Sequence, residues 1–215
     1  MRTEQMDFWS GKFGKEYTVR NTKEHEDWNQ QYLDNYGLTR LQMNGEFLGN
    51  LRKDLRILEI GCNTGQQLEG LHKQGFRSLH GIELQWHAVE YSKVRADGIA
   101  VLQASGFEIP FKSGAFDLVF TSGVLIHIAP RDLPAIIGEI YRCSSRYIWG
   151  FEYYSDKNTE INYRGNTGVL WKADFASIFV NLFPALTIVR KRLYPYVNDT
   201  EYGNVDCMYL LEKKA

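Results

Sequence analysis

The segment Ile57-Leu58-Glu59-Ile60-Gly61-Cys62-Asn63-Thr64-Gly65-Gln66 follows an apolar run with a carboxylate, two glycines and an asparagine. An apolar strand that runs into such a turn, with a helix opening behind it, offers free N–H groups and the positive end of a helix to a ligand. Gly61 and Gly65 allow that ligand to approach the backbone. Asn63 stands where glycine is commoner, and asparagine is among the non-glycine residues that best tolerate a positive φ. Eighteen residues beyond Gly65, Glu83 ends the next strand, in GIEL. A carboxylate at a strand end suits the two hydroxyls of a ribose, so the ligand implied contains an adenosine-type moiety.

These groups need a scaffold that brings strand ends together. RILEIG, SLHGIEL, IAVLQA, FDLVFTSG and RYIWGFE read as strands, separated by helical stretches: QQLEGLHKQ closed by Gly75, residues 86–96, and residues 132–143. In the last, Leu133, Ile136, Ile137, Ile140 and Tyr141 recur at helical spacing, with Pro134 near the start. Alternation of this kind predicts parallel strands joined by crossover helices, an α/β fold. Before this core, residues 1–52 are polar and aromatic and read as a helical lid, with EHEDWNQQYLDNYG ending at Gly37 and LTRLQMNGEFLGNL behind it. After the core at 56–152, residues 153–215 form an irregular aromatic insert, a helix over 174–182, and two strand-like runs, LTIVRKRLY and DCMYLLEK. The connection at 198–204 is short enough to pair those runs antiparallel.

With 215 residues, 44% of them hydrophobic, the chain can bury one substantial core and reads as one domain. A net charge of -1 argues against a broad nucleic-acid footprint. The opening residues lack an apolar signal core, and ASIFVNLFPALTIV, the longest uncharged run, is too short to span a membrane; both point to a cytosolic protein. Cys62, Cys143 and Cys207 lie far apart, with no spacing that suggests a metal site, and are expected reduced. The aromatic content of 14% is more than a plain core requires.

The turn also discriminates between cofactors. A dinucleotide site wants G-x-G-x-x-G, whereas this chain has G-x-N-x-G-Q and lacks the third glycine. Glu59, just before the first glycine, suits a cofactor with an ammonium group, which favours S-adenosylmethionine. Here the sequence resembles the class I S-adenosylmethionine-dependent methyltransferases. LEIGCNTG is similar to their glycine-rich motif, GIEL to the acidic ribose motif, VLQASGFEIPF to the adenine loop, and FDLVFTSGVLIHI to the fourth strand with its loop. The resemblance implies a Rossmann-like, mostly parallel seven-stranded sheet with an antiparallel last strand and helices on both faces. It implies cofactor contacts from Gly61, Asn63, Gly65, Gln66, Glu83 and Leu84. Gly106 and Phe107 would lie along the adenine, and Ser122 and Val124 near the methionine part. Ser105, a further cofactor contact implied at the adenine, stands where the family often carries an aspartate touching the adenine amino group.

A narrower likeness lies outside the core. FWSGKFGKEYTVRN, FEYYSDKNTEINYRG and VLWKADFA look like the methylases associated with pseudaminic acid biosynthesis, which implies a nonulosonic-acid-type or nucleotide-activated sugar as small-molecule substrate. Phe8, Trp9, Phe13 and Tyr17 in the lid, and Tyr153, Tyr154, Tyr163 and Trp171 after the fifth strand, can wall a dry transfer pocket or simply pack. On the substrate side, His127 is a candidate general base or a packed loop histidine. Glu152 and Tyr154 stand where catalytic groups gather at strand ends. Arg164 can grip a carboxylate or phosphate. Tyr17 and Arg20 are candidate cofactor contacts, Arg20 through the cofactor carboxylate or as a plain surface arginine. Arg190-Lys191-Arg192 reads as a solvated edge or a phosphate contact, and Asn198-Asp199-Thr200 as a sequon without meaning in the cytosol. The alternatives are an RNA methyltransferase, a non-catalytic cofactor-binding regulatory subunit and an oxidoreductase.

Overall fold

The computed structural model describes residues 2–22, 24–93, 98–198 and 203–214. Four helices come first: α1 (Glu4–Ser10), α2 (Lys12–Asn21), α3 (His25–Tyr36) and α4 (Arg40–Leu48). Then follow β1 (Arg56–Ile60), α5 (Gln66–Lys73), β2 (Ser78–Glu83), α6 (Trp86–Ser92), β3 (Ile99–Gln103) and β4 (Phe116–Ser122). A 3₁₀ turn (Leu125–His127) leads to α7 (Leu133–Cys143) and β5 (Ser144–Tyr153). The chain closes with β6 (Thr159–Glu160), β7 (Trp171–Lys172), α8 (Phe175–Leu182), β8 (Leu186–Pro195) and β9 (Val205–Lys213).

Seven strands form one sheet in the order β3-β2-β1-β4-β5-β9-β8. β1 to β5 pair in parallel, and β9 runs antiparallel to both β5 and β8. This is the Rossmann-like sheet expected, with its antiparallel strand slotted inside the edge strand. Side chains alternate across it. Ile57, Leu118, Phe120, Trp149 and Leu210 pack with Phe47, Leu68 and Leu71 on one face. Leu58, Val119, Ile148 and Leu211 pack with Ile136, Ile137 and Phe179 on the other. Both faces are covered, which is why the strands read as continuous apolar runs.

The order reverses between β1 and β4, and in such sheets ligands collect at the carboxyl ends beside that switch. The lid breaks at Gly11 into α1 and α2, and Gly37 closes α3 at φ 70. The helix expected over 86–96 ends at Ser92, and residues 94–97 lie outside the described part. So does most of the sequon, and of the connection at 198–204. Arg192 and Lys191 pair with Glu46 and Asp174, tying edge strand β8 to α4 and to the cap of α8. Their role is therefore attachment of that edge. All three cysteines are buried and unpaired. Among the described residues no helix is long and apolar enough to cross a membrane.

Candidate functional site

Between β1 and α5 the chain turns through three left-handed residues: Gly61 at φ 68, Asn63 at φ 47 and Gly65 at φ 80. A Cβ on Gly61 would stand 2.8 Å from Cγ2 of Val124, so this position excludes any side chain twice over, by φ and by space. Asn63 does adopt the positive φ its residue type allows. Glu83 fixes the turn: Oε2 accepts from the Asn63 amide at 2.9 Å and Oε1 from the Gln85 amide at 2.9 Å. The carboxylate is buried, and burial raises its pKa. Glu83 thus fixes the turn as well as lining the smaller cavity.

Two cavities open on this turn. The smaller, about 170 Å³, is mostly apolar and bounded by Met6 and Trp9 from α1, Glu83 and Leu84, and Ser105, Gly106 and Phe107. The larger, about 420 Å³, runs from Glu59, Asn63 and Gln66 across the sheet to Tyr153, Arg164 and Asp206. Tyr17, Gly61, Asn63, Ser122, Gly123 and His127 line both. The two spaces therefore meet at one wall, under α2.

His127 sits in that wall. Its Nδ1 lies 2.9 Å from the Val169 carbonyl, which can only accept, so the proton is on Nδ1 and Nε2 is the acceptor. Burial pushes its pKa down to about 4, against the raising effect of that hydrogen bond, leaving the imidazole neutral at pH 7. Trp9 covers the ring at 4.3 Å between centroids. Glu152 holds the loop carrying His127: its oxygens accept from the amides of Val124 at 3.2 Å and Ile126 at 3.4 Å. Burial lifts its pKa to about 7, although its hydrogen bonds favour the charged form. Its carboxylate accepts from these loop amides while the residue also lines the larger cavity, a place suited to holding the loop.

Glu59 provides the test of the cofactor. It is 3% exposed, lines the larger cavity beside Gly61, and its Oε2 has no hydrogen-bond partner. A buried carboxylate oxygen without a donor is costly unless a ligand supplies one. The ammonium of S-adenosylmethionine would supply it, with Glu83 beside the ribose and Ser105 to Phe107 beside the adenine, so the residues present fit that group.

Residues 57–146 match the family model described as Methyltransferase domain. This segment is therefore similar to methyltransferase domains. A Synechocystis protein described as an uncharacterized methyltransferase is 29% identical over 87 residues, which are 40% of this chain and 41% of that one. The chain spans less than half the length of the curated relatives it matches. Among solved structures, an S-adenosylmethionine-dependent methyltransferase from Anabaena variabilis aligns at TM-score 0.69 and 14% identity, covering 99% of this chain and 96% of that one. A geranyl diphosphate C-methyltransferase from Streptomyces coelicolor aligns at TM-score 0.71 and 11% identity, covering 98% of each. At those identities the structures share the fold with this domain.

The matched segment and its flanks gather most of the expected residues. Gly61, Asn63, Glu83, Leu84, Ser105, Gly106, Phe107, Ser122 and Val124 line the smaller cavity, and Glu59 and Gln66 the larger. Gly65 lines neither and acts through its φ at the start of α5. Arg20 is exposed, its guanidinium 5.8 Å from the Phe13 ring, and borders neither cavity. Tyr154, just past the end of β5, donates to Asp156 Oδ1 at 2.6 Å and lines neither cavity, whereas its neighbour Tyr153 lines the larger one. Both Arg20 and Tyr154 are therefore corrected to positions outside the site. Arg164 lines the larger cavity from a strained φ of 51.

Two charged groups were not foreseen. Arg40, 0% exposed, donates to Asn44 Oδ1, Tyr32 Oη and Ser122 Oγ at 2.9, 3.0 and 3.1 Å and lies 4.2 Å from the Phe151 ring. Asp206 lies buried at the start of β9. Helical spacing alone gave no sign of either.

Proposed function

We propose that the chain transfers the methyl group of S-adenosylmethionine to an oxygen or nitrogen of a small polar metabolite of sugar size. The observation that carries this reading is the wall shared by the two cavities: Tyr17, Ser122 and His127 border an adenosine-sized slot on one side and an open polar space on the other. The cofactor supplies an electrophilic methyl group on a positively charged sulfur. Glu59, Glu83 and the turn 61–66 hold it, while Trp9 and Tyr17 cover the reacting centre and exclude water. Neutral His127 accepts the acceptor's proton at Nε2, and Glu152 keeps that ring in place through the loop amides. The Tyr and Phe faces around the larger cavity suit a sugar ring, which is the support for a nonulosonic-acid-type or nucleotide-activated acceptor.

The open volume favours catalysis over a purely regulatory role, which would leave no acceptor space. An RNA acceptor is disfavoured: among the described residues Glu59, Glu152 and Asp206 line the larger cavity against a single cation, Arg164. Incubation with methyl-tritiated S-adenosylmethionine and a panel of neutral, amino and acidic sugars tests the reading. Label moving to one of them is expected. Tight binding of S-adenosylhomocysteine with no label moving to any of them would overturn it.

A further inference from the structure

Asp206 lies three strands across the sheet from Glu59, roughly 14 Å at ordinary strand spacing, yet lines the same cavity. Its side chain is 1% exposed. The Tyr36 hydroxyl donates to Oδ2, while Oδ1 has no hydrogen-bond partner. Among the described residues no ion pair reaches it. The cations within electrostatic range are committed elsewhere, Arg40 to Asn44, Tyr32 and Ser122, and Lys172 to Asn204.

A buried carboxylate oxygen without a donor, on a residue that lines a cavity, is costly, and a ligand that brings the donor removes the cost. Around it stand the rings of Tyr36 and Tyr196, 4.8 Å apart between centroids, with Tyr153 beside Asp206 in the β5–β9 register. Aromatic faces around a carboxylate attract a cation more than a neutral hydroxyl. The geometry points to a second subsite in which Asp206 and these tyrosines hold a protonated amino group of the acceptor, remote from the transferred methyl. Burial raises the pKa of Asp206 to about 6, and a bound ammonium would hold it ionised. Because the cavity's occupant is taken to be the acceptor, this inference rests on the methyl-transfer reading.

Calorimetry on the protein saturated with S-adenosylhomocysteine tests it, using glucamine, sorbitol and gluconate, which share a polyol chain and differ in carrying an amine, a hydroxyl or a carboxylate. Wild type is expected to bind glucamine at least about tenfold more tightly than sorbitol, the scale of one charged hydrogen bond. Asp206→Asn should erase that preference and leave the affinity for S-adenosylhomocysteine unchanged. Equal binding of glucamine and sorbitol by wild type, binding of neither, a preference for gluconate, or a preference that survives in Asp206→Asn would each overturn the inference. Failure of S-adenosylhomocysteine itself to bind would instead bring down the methyl-transfer reading.

Discussion

Thr18 on α2 donates its hydroxyl to the side-chain oxygen of Asn63 at 3.1 Å, so the helix over the cleft is hydrogen-bonded to the turn at its floor. Thr18 is fully buried, so the bond is shielded from water. Thr18→Val keeps the shape and removes the donor. We expect S-adenosylhomocysteine affinity to fall roughly fivefold, equivalent to about 1 kcal/mol, with faster amide exchange in α1 and α2. Unchanged exchange there would show that this bond does not hold the lid.

Glu83 has two tasks, and two variants separate them. Glu83→Ala removes the acceptor of the Asn63 and Gln85 amides and should cost about 2 kcal/mol of stability as well as cofactor affinity. Glu83→Gln keeps one acceptor oxygen and should recover most of the stability and less of the affinity. Denaturant midpoints and calorimetry check both. Full stability of Glu83→Ala would contradict the turn-fixing role.

Glu152 gives a pH signature. Its folded pKa of about 7 lies above its ordinary 4.5, so its contribution to stability is complete below 4.5 and lost as pH rises through 7. Wild type should therefore lose roughly 2 kcal/mol more than Glu152→Gln over that window. Parallel stability curves for the two proteins would exclude a buried, uplifted carboxylate.

His127 has the opposite sign. Its folded pKa of about 4 lies below its ordinary 6.5, so the unfolded chain takes the proton first, and stability falls as pH drops from 6.5 towards 4. Nitrogen NMR of the ring should show the Nδ1-protonated neutral form throughout the upper part of that range. A ring titrating near 6.5 would contradict both the burial and the assigned tautomer.

What the sequence disclosed follows from how local the determinants are. Glu59, Gly61, Asn63 and Glu83 are held by backbone requirements a few residues long, so their types and spacing announced the cleft. The parallel strands were legible as short apolar runs between turn residues, and α7 through its helical apolar period. Tyr154 and Tyr153 show where this stops: Tyr153 is the last residue of β5, held opposite Asp206 by β9, while Tyr154 already lies past the strand, and that boundary depends on pairing with a segment about fifty residues on. Arg40 and Asp206 look like ordinary polar positions in LTRLQMN and DCMYLLEK. Their burial is decided by segments far away in the chain, α3 packing over β5 and β9.

In the proposed function, cofactor and acceptor meet at the wall formed by Tyr17, Ser122 and His127. A crystal structure with S-adenosylhomocysteine measures this directly. The adenine is expected beside Ser105 to Phe107, the ammonium within hydrogen-bond distance of Glu59 Oε2, and the sulfur facing the larger cavity beside His127. A sulfur turned away from that cavity, or an ammonium remote from Glu59, would contradict it.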